Sequence, residues 1–333
     1  MKNIVYLLAF IFTSFIGCSG TLKSENNGNR LQEEESPVVR FDKEMYEYLI
    51  APDSLKEATL KKNNMVLLLA LGRVTVDNNN DDSVISSLRE YFSNPSLMQL
   101  YKDELNTFSD FSPYMEELVT AQKNVNNHFS GKKLPQLCLH VSGYRENVII
   151  LHDMISVSAD KYLGSGYSGY RSYFQPYERQ QMQPQYLVRD YLKAWLISDN
   201  VIETTHEGKN LIMAMIDEGK LLYALMQLLP EKDEDYIIGY TAAQSAWCKS
   251  NEKNIWQSIV KQNHLYDTDH MLITRYVNDA PNTAPIGPDS PGRLGAWIGL
   301  QMIEKYVSRT GASLEKVLDT DSYAILKESK YNP

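Results

Sequence analysis

The pattern that most limits how this chain can fold is a change in hydrophobic spacing near residue 184. Before it, residues 137–141 alternate, residues 147–151 are apolar and β-branched, and residues 154–158 form a third segment of the same kind. Runs of this length and makeup suit strands. Ser142-Gly143-Tyr144 and Arg145-Glu146-Asn147 form a turn between the first two, which read as a hairpin or as two adjacent strands. After Pro184, residues 186–197, 210–229, 236–262 and 291–307 place apolar side chains three and four apart, the spacing of one buried helix face. A few strands followed by a long helical half predict an α+β fold, with a small mixed sheet in the N-terminal half and a mainly helical C-terminal half. Residues 280–291 contain four prolines and read as a loop. Upstream, residues 38–41 read as a short strand and Asp42 as the N-cap of a helix running to residue 50. Residues 65–71 are a strand or a buried helical turn, 78–82 a polar turn, and 95–127 helical with a break at 108–113.

The N-terminus has a different character. Lys2 is followed by an apolar stretch from Ile4 to about Phe12, then by small and polar residues. This is the build of a secretory signal, and the stretch is too short to cross a bilayer, which takes about 20 residues. Phe15-Ile16-Gly17-Cys18 resembles a lipobox, with Phe15 where leucine is usual. The expected organisation is a signal peptide over 1–17, a lipidated flexible tether over 18–37, and one domain over 38–333. Cys18 would carry the acyl chains, each buried CH₂ contributing about 0.8 kcal/mol to membrane affinity. Residues 19–37 are rich in Ser, Gly, Asn and Glu and have little to bury. The formal net charge is −9 and no cationic run stands out, which argues against nucleic-acid binding. Cys138 and Cys248 are the remaining cysteines; a disulfide and two buried free thiols are both compatible with their positions.

Searches for familiar chemistry are mostly negative. None of the six histidines has another four residues away, so the helical His-Glu-x-x-His zinc motif is missing; His206-Glu207 starts it, but Asn210 ends it. Gly164-Ser165-Gly166 and Gly166-Tyr167-Ser168-Gly169 have the wrong spacing for a nucleophile elbow. No phosphate loop, metal site or cofactor is expected. The loop holding Tyr167, Tyr170 and Tyr173 has the Gly, Ser and Tyr makeup of recognition loops, or it packs on its own tyrosines. In helix 186–197, Arg189 and Lys193 lie one turn apart on one face, beside Asp190 and Trp195. In helix 210–229, Asp217 and Glu218 interrupt an apolar surface, which is costly unless they are paired.

Three segments carry a family resemblance. The first is 155–167, with Asp160-Lys161-Tyr162-Leu163-Gly164. The second is 212–256, with Asp217-Glu218-Gly219-Lys220, Leu229-Pro230, Ile238-Gly239-Tyr240, Trp247-Cys248, Asn251-Glu252 and Ile255-Trp256. The third joins Asn278-Asp279-Ala280-Pro281 to Pro291-Gly292-Arg293-Leu294-Gly295-Ala296-Trp297-Ile298-Gly299. From about residue 38 to 307 the chain resembles the gliding-motility lipoprotein GldB family of Bacteroidetes. It is similar, more weakly, to gluzincin-type metallopeptidases, which implies a zincin-like fold. Carried across by position, Arg189, Asp190 and Lys193 stand where His, Glu and His would, and Glu218 where a third ligand would. The resemblance implies a degenerate, non-catalytic centre in which Arg189 and Lys193 pair with Glu218 or Asp190. Asp217 lies beside it, and Tyr167, Tyr170, Tyr173, Trp195 and Arg293 are candidate contact residues. The implied protein is an accessory or binding protein of the cell envelope, on the outer membrane, with envelope or motility proteins or a peptide segment as partners. An active hydrolase with an unrecognised site and a purely structural partner are the alternatives.

Overall fold

The computed structural model describes residues 36–72, 81–199, 201–202 and 205–333. The signal peptide, Cys18 and nearly all of the expected tether lie outside these residues. The chain enters through β1 (Val38–Val39) and then α1 (Phe41–Ile50), α2 (Ser54–Gly72), α3 (Asp81–Phe92), α4 (Pro95–Thr107) and α5 (Ser112–His128). It continues through β2 (Gln136–His140), β3 (Val148–Ile150) and β4 (Met154–Ser158). The helices that follow are α6 (Pro176–Gln181), α7 (Leu187–Ser198), α8 (Leu211–Leu228), α9 (Glu234–Ile238), α10 (Ala242–Lys261), α11 (His270–Val277), α12 (Leu294–Thr310), α13 (Leu314–Asp319) and α14 (Ser322–Ser329). The fold is α+β, with a small mixed sheet in the N-terminal half and a helical C-terminal half.

The sheet order is β1-β2-β4-β3. β1 and β4 flank β2 in parallel, with Val38 opposite Leu137 and Gln136 opposite Met154. β3 closes the far edge antiparallel to β4, with Val148 opposite Val157. The expected pairing of 137–141 with 147–151 is therefore wrong: β4 lies between them, and the hairpin joins β3 to β4, where the Leu151 amide donates to the Met154 carbonyl at 2.8 Å. Burial explains the order. Along β2, Leu137 and Leu139 enter one core while Cys138 faces the other, so that strand needs cover on both faces. Ile150 of β3 is more than half exposed and is tolerated at an edge.

Two cores result. Leu137, Leu139, Ile155 and Val157 pack with α5, α7, α8 and α12, whereas Cys138 and Val141 pack with α1 to α4. The second face of the sheet also carries a buried polar row, in which Ser156 Oγ lies 2.7 Å from His140 Nδ1. Burial, then the charge of Lys161, lowers the His140 pKa to about 3, so the ring is neutral. Cys138 and Cys248 are buried free thiols, each pushed up to about 12 chiefly by burial.

Other local expectations need correction. Residues 65–71 are the helical end of α2. Asp42 is not a cap but a buried residue of the first turn of α1, paired at 2.6 Å with Arg40, which is the N-cap. Asp81 and Asp82, expected in a turn, begin α3. The stretch 236–262 is two helices. Gly239 (φ 80°) ends α9 in the left-handed conformation, and Thr241 starts α10 through a capping box with Gln244. Residues 280–291 do form a loop, and it delivers Arg293 to the start of α12.

Candidate functional site

Four consecutive residues of α8 point in four directions because each step of a helix turns by about 100°. Asp217 pairs with Lys209 at 2.8 Å. Lys220 turns the other way and donates to the carbonyls of Leu318 (2.9 Å) and Thr320 (2.7 Å), satisfying the C-terminal end of α13. At Gly219 an added Cβ would lie 2.3 Å from the Gly299 carbonyl carbon, so α8 and α12 cross with almost no side chain between them. Glu218 faces a different group of charges.

Glu218 Oε2 lies 3.7 Å from Arg293 Nη2, and Oε1 lies 3.9 Å from His206 Nε2. Lys193 approaches from α7. Burial, followed by the neighbouring Arg293 charge, holds its pKa below the usual lysine value, while Glu218, Asp190 and Asp279 act in the opposite direction. Arg189, expected to pair with Glu218 or Asp190, takes Asp190. Its Nε donates to Asp190 Oδ1 at 2.8 Å, Nη1 to the Tyr236 carbonyl at 3.0 Å and Nη2 to Gln181 Oε1 at 3.3 Å. Its guanidinium stacks 3.9 Å from the Tyr186 ring centroid. The Tyr162 hydroxyl donates to the other oxygen of Asp190 at 2.9 Å. Arg189 and Asp190 therefore form a closed pair, and the guanidinium beside Glu218 is that of Arg293.

Arg293 holds the rim of this group. It adopts a left-handed backbone (φ 61°, ψ 24°) as the N-cap of α12, an uncommon conformation for a side chain with a Cβ. Its Nη1 donates to the Ile238 carbonyl at 3.1 Å, and Nε lies 3.6 Å from Asp279 Oδ1. Gly292 before it cannot be larger, since a Cβ there would meet the Ala280 carbonyl oxygen at 2.3 Å. The Tyr240 hydroxyl donates to the Gly292 carbonyl at 2.6 Å. A small, partly open pocket forms here, walled by Tyr177, Gln180, Gln181, Tyr240, Gln244, Asp279 and Arg293.

The aromatic candidates divide sharply. Tyr170 is fully buried, donating to the Asp160 carbonyl at 2.7 Å and accepting from the Leu163 amide at 2.9 Å. Tyr167 donates to Asp103 at 2.7 Å and packs edge-on against Tyr170. Trp195 is buried against Phe129. These three side chains hold the fold together; of the candidates, Tyr173 alone is largely exposed, at 71 %. In the glycine- and tyrosine-rich loop, Tyr167 and Tyr170 thus pack edge-on against each other, while Tyr173 faces outward.

Sequence reasoning placed Arg293 as a contact residue but missed the partners that build its pocket: Gln180, Gln181, Tyr240, Gln244, Asp279 and, behind it, His206. Amides and tyrosines scattered over some 110 residues leave no spacing to read. Only Asn278-Asp279-Ala280-Pro281 and Pro291-Gly292-Arg293, turn-forming words on either side of a proline-rich loop, hinted that the chain is held in a specific shape there. Among the described residues no group of three or more His, Cys, Asp or Glu side chains is arranged to hold a metal. Among the same residues no helix is long and apolar enough to cross a membrane. Compared with known families, residues 23–333 match the model described as gliding motility protein GldB, nearly the whole chain. No curated protein and no solved structure matches it.

Proposed function

The chain belongs to the gliding motility protein GldB family, a family of lipoproteins, and on that premise we propose that it is an envelope-anchored accessory protein that binds instead of hydrolysing. In this reading acyl chains on Cys18 hold it to the outer membrane, and the group around Glu218 is the remnant of a metallopeptidase-like centre. The observation that carries the reading is the company Glu218 keeps. Zinc sites are built from imidazole, thiolate and carboxylate; here the arginine at the start of α12 stands 3.7 Å from the carboxylate, and the lysine on α7 interacts with it electrostatically. A dication entering that space would meet the guanidinium of Arg293 beside the Glu218 carboxylate. The closed Arg189–Asp190 pair likewise leaves no free base where a catalytic glutamate would stand.

One feature favours the alternative, an active hydrolase. His206 lies 3.9 Å from Glu218, and a carboxylate that orients an imidazole is a common general-base arrangement. Metal analysis and peptide-library profiling of the purified protein separate the two readings. The accessory reading expects far less than one zinc per chain and no cleavage above that of the Glu218→Ala variant. Stoichiometric zinc at this site, or turnover lost in Glu218→Ala, would overturn it.

A further inference from the structure

Arg293 combines three properties that together describe a receptor for an anion. Its side chain is nine-tenths buried, yet it walls the open pocket. A guanidinium carries five N–H donors, and among the described residues Arg293 directs a hydrogen bond only to the Ile238 carbonyl. Its two carboxylate neighbours, Glu218 and Asp279, stand at 3.7 and 3.6 Å, near enough to attract but beyond hydrogen-bond reach. Lys193 interacts electrostatically with Arg293, and Glu218, Asp190 and Asp279 act on it in the opposite sense. The 17-residue helix α12 begins at the same spot, and its N-terminal end carries partial positive charge. On the far wall, the Gln244 carboxamide uses its oxygen to cap α10, leaving its NH₂ as a further donor. Asp279, which lines the pocket, is the carboxylate an incoming anion would have to displace from Arg293.

We propose that this pocket binds a carboxylate, received bidentately by the Arg293 fork. A planar guanidinium matches the two oxygens of a carboxylate in a way that a lysine ammonium does not. The left-handed backbone at Arg293 accords with this role: a side chain is kept where glycine would be conformationally easier, a form of strain that concentrates at functional positions. The inference rests on the binding-protein reading above and supplies its ligand class. The carboxylate could be a small free acid or the C-terminus of a protein chain.

Saturation-transfer NMR on the full-length lipoprotein in detergent tests it, with three probes: acetate, trialanine and trialanine C-terminal amide. Acetate and trialanine are expected to bind and the amide is not. Acetate alone marks a small acid as the source, and trialanine binding several-fold tighter than acetate marks a chain terminus. Arg293→Lys, which keeps the charge and loses the fork, should weaken binding at least about tenfold. Asp279→Asn is the variant that misfolding cannot imitate: it removes a half-exposed competing carboxylate and should tighten binding several-fold. No binding of either free carboxylate, equal binding of the amide, or an affinity unmoved by both substitutions overturns the proposal. Such a failure leaves the accessory reading standing, since that reading is judged by zinc content and peptide cleavage.

Discussion

Glu104 shows how much a single buried acid can hold. It sits on α4, fully buried, next to Tyr101 of the same helix. Asp42 and Arg40 face it from the first residues of α1, and Asp160 from the short turn after β4. Burial, followed by the Asp42 charge, raises its pKa well above the ordinary carboxylate value of 4.5, against the opposing pull of Arg40. Folded Glu104 thus keeps a proton that the unfolded chain releases above pH 4.5. The unfolded state binds fewer protons, so this contribution to stability is complete below pH 4.5 and falls as pH rises towards the folded pKa. The slope cannot exceed about 1.4 kcal/mol per pH unit. Glu104→Gln, which keeps the shape without the charge, should flatten the decline between pH 6 and 9 in urea titrations. Parallel stability curves for variant and wild type across that range would refute this. The same scale separates Asp217, Glu218 and Lys220. All three are neighbours in a single helical word, yet two serve local architecture and one faces the Arg293 pocket, a division set by helical rotation alone.

At the scale of elements, the crossing of α8 and α12 is the tightest contact in the helical half. A Cβ built on Gly299 would lie 1.7 Å from the Met215 carbonyl oxygen, and one on Gly219 would strike the Gly299 carbonyl. Both obstacles are backbone, so neither can yield without parting the helices. Overpacking of a core costs about 1–3 kcal/mol where side chains can move. Gly299→Ala should therefore reach or exceed the upper end, about 3 kcal/mol, in equilibrium denaturation. Gly219→Ala on top of it should add less than its own separate cost, because the two act on one interface. A loss below about 1 kcal/mol for Gly299→Ala would mean that the crossing is looser than described. The crossing also bears on function: α8 carries Glu218 and α12 begins at Arg293, so their approach sets the distance between these charges. The strands obey a comparable logic, since the doubly buried β2 takes an inner place and the short, partly exposed β3 an edge.

At the scale of the whole molecule, one sheet divides two cores, and β1, the first strand of the domain, lies on the edge opposite β3. Under the lipoprotein reading this strand is where the domain meets its membrane tether. No described helix is long and apolar enough to cross a membrane; in the proposed reading the acyl chains on Cys18 are the anchor. Cys18→Ser should move the protein from the membrane to the soluble fraction and abolish labelling with radioactive palmitate; a variant that stays membrane-bound without label would place the anchor elsewhere. The buried thiols Cys138 and Cys248 lie in separate cores, which accounts for the lack of a disulfide between them.

What the sequence determined by itself is whatever periodicity and turn chemistry encode locally. That covers α7, α8 and α12 to within about three residues at each end, the strand at 154–158, the proline-rich loop, the α+β class and the family words around Glu218 and Arg293. The tertiary structure decided what depends on partners distant in the chain. It put β4 between β2 and β3, split 236–262 at Gly239, closed Arg189 onto Asp190, and buried Tyr170 and Trp195. It also brought Arg293 to Glu218, 75 positions away in sequence and 3.7 Å away in space. The physical reason is that local spacing tells which face of an element is apolar, whereas a charge finds its counter-charge only after the cores have closed and fixed which faces meet.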